Sequence, residues 1–401
     1  MAAKAARHGT RRESGDVMEG RRQLALQTVD LTAGFMVWVA LSSLLPSIRQ
    51  DIAIPAAQMG LVTAVPVVLG SILRVPMGYW AGLFGARTVF LASFAALIAP
   101  VWFLSEASTS ADLLVGGVFL GIAGAVFSVG VTSLPKYFPP QRHGFVNGVY
   151  GFGNMGTALS TWLAPVAAAA IGWRGAMKLY LVLLGALVVL NLALGDRREP
   201  RVRTPILRQL RALAGDAQLW ALSLFYFVTF GAFVALTVYL PSFLTSHYGL
   251  GETSAGAATS AFVVVAATVR VLGGWLGDRL DCYGLLASAF AALALGAGML
   301  AAAPGLPAYL AGVYLVGIAC GIGNGAVFKL VPLRFAKHAG PVNGIVSMMG
   351  GLGGFFPPLV LSASMSAFGT NAPGLAAFGV FAMACLAAAL VMQRRGSGRA
   401  A

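Results

Sequence analysis

Two arginines, Arg74 and Arg270, interrupt long apolar runs that offer them no nearby carboxylate. Each falls in a stretch that reads as a membrane-crossing helix, where an arginine costs about 2.5–3.5 kcal/mol to insert. A buried cation needs a counter-charge, and an anionic substrate supplies what the chain lacks. Arginine narrows the chemistry further. Its planar guanidinium offers two parallel N–H donors, a match for a planar or multi-oxygen anion. A third candidate, Asn154, is a polar amide inside a glycine-rich run at 147–156, able to donate to an anion or to a neighbouring helix. The bland alternative, arginines bonding span-end carbonyls or reaching to an interface, explains one such residue better than two at equivalent positions of a repeat.

The chain that must position these groups has 401 residues, 58% hydrophobic and only 10% charged. An average soluble domain is about 25% charged. Runs of about 20 apolar residues read as transmembrane helices, and we place twelve spans at 24–46, 58–81, 88–105, 112–134, 145–171, 175–194, 218–242, 255–277, 284–303, 308–331, 342–367 and 372–392. The ten-residue alternation of a membrane barrel is absent. The expected fold class is therefore an all-α membrane protein with twelve transmembrane helices.

The formal charge of +14 is unevenly placed. Basic residues crowd the N-terminal tail, alternate loops (Arg87, Lys136, Arg142, Arg279, Arg334, Lys337), the long central connection and the C-terminal tail. The opposite side carries only Arg49, Arg174 and Lys178. This asymmetry predicts a multi-pass protein of the cell membrane with both termini in the cytoplasm, and its partner is the lipid bilayer, not nucleic acid. Three scattered cysteines, Cys282, Cys320 and Cys385, suggest neither a disulfide framework nor a metal site. No cofactor motif or nucleophile–base set is visible, which argues against an enzyme. The basic tail is not a cleaved signal peptide, because the first apolar segment is full length.

The connection after span six splits the chain into two halves. The expected organisation is a basic tail at 1–23, a six-helix bundle at 24–194, a cytoplasmic linker at 195–217, a second six-helix bundle at 218–392 and a tail at 393–401. Gly121-Ile122-Ala123 recurs as Gly317-Ile318-Ala319, Asn147-Gly148 as Asn343-Gly344, and Arg74-Val75 as Arg270-Val271, each 196 positions on. Parallel six-span repeats are a known transporter plan. With Gly274-Trp275-Leu276-Gly277-Asp278-Arg279 after span eight, matching a Gly-x-x-x-Asp-Arg loop motif, the chain resembles the major facilitator superfamily. The equivalent loop after span two keeps Gly78, Gly85 and Arg87 but has Gly82 where that motif has Asp. The usual gate interaction is not expected there.

Glycine inside a helix is unfavourable by roughly 1 kcal/mol relative to alanine, so dense glycine calls for a reason, and close helix approach is one. Gly151-x-Gly153-Asn154-x-Gly156 in span five and Gly350-Gly351-Leu352-Gly353-Gly354-Phe355-Phe356-Pro357 in span eleven resemble the paired signatures of the nitrate/nitrite porter family. The resemblance extends along the chain through Phe35-Met36-Val37-Trp38 and Gly321-Ile322-Gly323-Asn324-Gly325. It implies that Arg74 and Arg270 bind substrate, that Asn154 contacts it, and that Tyr226 and Phe230 in span seven are a hydrogen-bonding and a stacking aromatic. It further implies nitrate import, with nitrite as a related substrate, by alternating access in a monomer.

The coupling stays open at this level. The thirteen acids fall in tails, loops or span ends, with Asp30 in the first third of span one, and the four histidines lie outside the spans. The expectation is that no buried acid is present. That favours nitrate/nitrite exchange, while the resemblance to uptake members of the family keeps proton symport as a leading option. Lys329, near the basic end of span ten, is the candidate that would allow proton symport. Two alternatives stand beside this: a carrier for another small anion, and a nitrate sensor that does not transport.

Overall fold

A computed structural model describes residues 2–202, 204–302 and 305–397. Among them the chain is helical throughout its spans. Span one runs through Ala2–Trp38 and Ala40–Asp51, span two is Ala56–Phe84, span three Ala86–Ser105, and span four is made of Ser110–Ala125 and Phe127–Ser133. Span five starts at His143–Gly151, passes a short 3-10 segment, Phe152–Asn154, and continues into Met155–Leu194. That last helix also holds span six. The chain turns between the two at Gly172, whose φ of 74° is open to glycine and costly for other residues.

The second half repeats the plan with spans seven to twelve at Ala217–Tyr248, Glu252–Gly277, Cys282–Ala301, Leu306–Arg334, Ala339–Phe368 and Ala372–Ser397. Ten described stretches are long and apolar enough to cross a membrane, one of them covering spans five and six together. The sequence-based limits agree with the helices within a few residues. The exceptions are span one, whose helix already begins at Ala2 and continues to Asp51, and span seven, which continues to Tyr248.

The acids explain much of the loop structure. Thr109 and Asp112 form a reciprocal capping box at the start of span four. Asp216 caps span seven through the Gln218 amide (2.7 Å), and Asp281 caps span nine through the Gly284 amide (2.7 Å). Opposite the basic end, Glu106 pairs with Lys178 and Asp51 with Arg174. In the connection between halves, buried Glu199 accepts from the Ala86 amide and from Lys136, both at 2.7 Å, so this segment docks on the loops of the first half.

Spans two and eleven pack together across the halves, and so do spans five and eight. Glycines set how closely they approach. A Cβ on Gly344 would lie 2.8 Å from the Arg74 carbonyl, and one on Gly148 2.9 Å from the Arg270 carbonyl. Each arginine's backbone is therefore held against the glycine span of the other half. Polar bonds repeat the symmetry. Asn147 donates to the Phe328 carbonyl (2.8 Å), and its repeat partner Asn343 donates to the Val131 carbonyl (3.0 Å). Large apolar side chains such as Val189, Leu295 and Val380 point outward, as lipid contact requires.

Candidate functional site

Arg74 and Arg270 are the two bulkiest fully buried side chains among the described residues, at 0% and 1% exposure. Neither forms an ion pair there. Arg74 donates from Nη1 to the Ser347 carbonyl (2.7 Å) and from Nε to the Gly124 carbonyl (3.3 Å). Its Nη2 has no partner. Arg270 donates from Nη1 to the Tyr226 hydroxyl at 3.4 Å, while its Nε and Nη2 have none. Three buried guanidinium nitrogens thus lack an acceptor among the described residues. A buried polar group left unsatisfied costs about 1–3 kcal/mol, more when charged, so an acceptor placed between these nitrogens would be strongly favoured.

Aromatic rings wall the site. Phe127 lies under both guanidinium groups, 5.5 Å from Arg74 and 5.0 Å from Arg270. Phe230 sits 5.2 Å from Arg74 and stacks on Tyr226 at 5.0 Å, and Phe328 lies 5.6 Å from Arg270. The ring faces attract the cations and exclude water, but they accept no N–H hydrogen bond of ordinary strength.

The glycine signatures fall on the same centre. A Cβ on Gly151 would collide with the Arg270 guanidinium, and one on Gly350 with the Tyr226 ring. Gly351 faces Ser71 and lies 3.4 Å, by the same construction, from Arg74 Nη1. Gly153 and Gly156 instead meet Leu31 and the Thr32 carbonyl of span one. Gly353 and Gly354 meet Phe227 and Val234 of span seven. Four of the predicted residues, Arg74, Arg270, Tyr226 and Phe230, are therefore brought together directly. Asn154 is buried one turn beyond Gly151, and its Oδ1 bonds no described group.

Phe127, Phe328 and Ser347 were not anticipated. A phenylalanine in an apolar span carries no signal of its own. Ser347 did carry one: it stands at the 196-residue offset from Gly151, and each of the two meets the arginine of the opposite half.

At the basic end the two repeats differ. Asp278 accepts from the Gly144 and Phe145 amides at the start of span five (2.9 and 2.7 Å), tying the halves together. Lys329 bonds Asp278 and the Pro140 carbonyl, both at 2.6 Å. The repeat-equivalent of Asp278 is Gly82, and that of Phe145 is Pro341, which has no N–H to offer. The acceptor and one of its two donors are missing together, while Gly340, the equivalent of Gly144, keeps its N–H.

One expectation is corrected. A buried acid does exist: Asp30, in span one, is 0% exposed. Its Oδ1 accepts from Asn191 Nδ2 at 2.7 Å, and its Oδ2 has no partner.

Comparison with known proteins agrees with this architecture. The model of the Major Facilitator Superfamily matches residues 31–358 and 222–400. The fold resembles the human organic anion transporter MFSD10 (TM-score 0.75, 17% identity) and the E. coli fucose:proton symporter FucP (TM-score 0.73, 16% identity). Each comparison covers 92% of this chain and 98% of the other. Among sequences, a nitrite extrusion protein of Bacillus subtilis is 50% identical over 90% of this chain and 92% of its own length. A probable nitrate transporter NarT of Staphylococcus epidermidis is 45% identical over 92% and 96%, and that of Staphylococcus carnosus 46% over 91% and 95%. On these grounds the chain belongs to the Major Facilitator Superfamily, within its nitrate/nitrite porter family.

Proposed function

We propose that this protein carries nitrate, and nitrite as its close analogue, across the cell membrane by alternating access, with nitrate import as the working direction. The observation that carries the reading is the set of three unpartnered, buried guanidinium nitrogens, Arg74 Nη2, Arg270 Nε and Arg270 Nη2. A small planar anion presents oxygens to both arginines at once, and flat aromatic walls favour it over bulkier anions. The names of the relatives point to the same substrates.

The two arginines come from different halves and lie within electrostatic range of each other. An anion between them lowers their repulsion and lets the halves close around it. The bonds of Asp278, Asn147 and Asn343 hold the basic end shut in this conformation, and their breaking opens it. Lys329 acts in this reading as a partner of the gate carboxylate. The basic loops support a cytoplasmic location for both termini, and the reading takes a monomer as the working unit.

The test is uptake of labelled nitrate into proteoliposomes holding the purified protein, with nitrite loaded inside or with an imposed pH gradient. Uptake stimulated by internal nitrite supports exchange, and uptake driven by the gradient supports proton symport. Binding of nitrate without uptake under either condition would identify a sensor instead, and uptake of organic acids in preference to nitrate would reassign the substrate.

A further inference from the structure

Most acids described above cap a helix, tie the halves together or pair with a cation; Asp30 does none of these. It has no cation partner among the described residues and a single hydrogen-bond donor, Asn191. It also ends a polar stripe. Glu19, Gln23, Gln27 and Asp30 recur at intervals of four, four and three, one face of a helix. Their exposure falls from the half-open Glu19 to 2% at Gln23, 1% at Gln27 and 0% at Asp30. Gln23 bonds Glu19 (2.8 Å) and the Leu194 carbonyl (2.9 Å), and Gln27 donates to Ser133 (3.1 Å). The stripe spans roughly 16 Å at 1.5 Å per residue, from the basic end into the bundle.

Two acceptors at its inner end are orphaned, Gln27 Oε1 and Asp30 Oδ2. Neither has a donor among the described residues, and a proton on Oδ2 removes an uncompensated buried charge. We infer that Asp30 is a proton-binding site, loaded through the Glu19–Gln23–Gln27 stripe, whose proton travels with the anion. This rests on the proposed nitrate-carrier reading.

The groups facing Asp30 support the direction of coupling. Asn191 of span six touches it, and Arg87 holds the Asn191 carbonyl at 3.1 Å. Ser133 of span four holds Gln27. Tyr150 of span five, donating to the Val126 carbonyl at 2.9 Å, lies in electrostatic range of Asp30 and of both arginines. An anion on the arginines reduces the positive potential behind Tyr150, so anion and proton favour each other's binding, and the effect is reciprocal. The step is Asp30 carboxylate plus a proton giving the carboxylic acid, with no electron transfer.

The experiment uses proteoliposomes with an internal pH dye. The wild type should acidify the lumen on nitrate entry and accumulate nitrate when the outside is acid. Asp30→Asn should retain labelled nitrate counterflow, move no protons, and show gradient-driven accumulation reduced to the level without a gradient. Asp30→Glu should restore coupling. Counterflow without proton movement in the wild type overturns this inference alone, as does Asp30→Asn accumulating like the wild type. Loss of counterflow together with accumulation in Asp30→Asn also overturns it, making Asp30 a structural residue. No nitrate counterflow in the wild type overturns the substrate reading and this inference with it.

Discussion

Replacing Asp278 by asparagine should open the basic end of the protein. The carboxylate receives two amides from span five of the other half, at 2.9 and 2.7 Å, and the Lys329 ammonium at 2.6 Å. Hydrogen bonds to a charged group contribute about 1.5–3 kcal/mol each. Asparagine keeps one neutral acceptor of about 1 kcal/mol, so the closed arrangement loses at least about 2 kcal/mol. That is a shift of roughly 30-fold in the balance between closed and open. Spin labels on exposed Gln141 and Leu280, one in each half, report the opening by electron–electron distance measurement, since the three native cysteines are buried. The wild type should give one short distance, and Asp278→Asn a broad, longer distribution. A variant distribution that superimposes on the parent would refute the gate assigned to Asp278.

Other predictions follow from the same contacts. Gly151→Ala places a methyl group on the Arg270 guanidinium and should abolish most nitrate uptake while the protein still folds; Gly185→Ala, where nothing lies within 4 Å of the new atom, should leave uptake unchanged. Asn147→Ala and Asn343→Ala each remove one cross-half bond of about 1 kcal/mol. They should shift the spin-label distances in the same direction as Asp278→Asn but less. Lys329→Met leaves Asp278 with its two amides, so its effect on those distances should be smaller than that of Asp278→Asn, and a larger one would show that the lysine is the principal tie.

How far the sequence carries this account depends on what each feature needs. The spans are legible because hydrophobic length alone defines them, and Gly172 falls in the gap between two of them. The pairing of Arg74 with Arg270 is legible because the repeat is written at a constant offset. Phe127 and Phe328 are not legible, because their place against the arginines comes from how two halves dock, and any apolar residue would preserve the local pattern. The burial of Asp30 is not legible, because its depth depends on the neighbours that bury it, Asn191 among them. The stripe leading to it, Glu19, Gln23, Gln27 and Asp30 at intervals of four, four and three, is a helical period legible in the sequence.

The proposed grip on the anion uses both guanidinium groups. Titration of purified protein with nitrate, followed calorimetrically, tests it through Arg74→Lys and Arg270→Lys, which keep the charge and lose the fork. Each lost charge-assisted bond is worth about 1.5–3 kcal/mol, so each variant should bind nitrate at least about tenfold more weakly. Wild-type affinity in both variants would contradict the account.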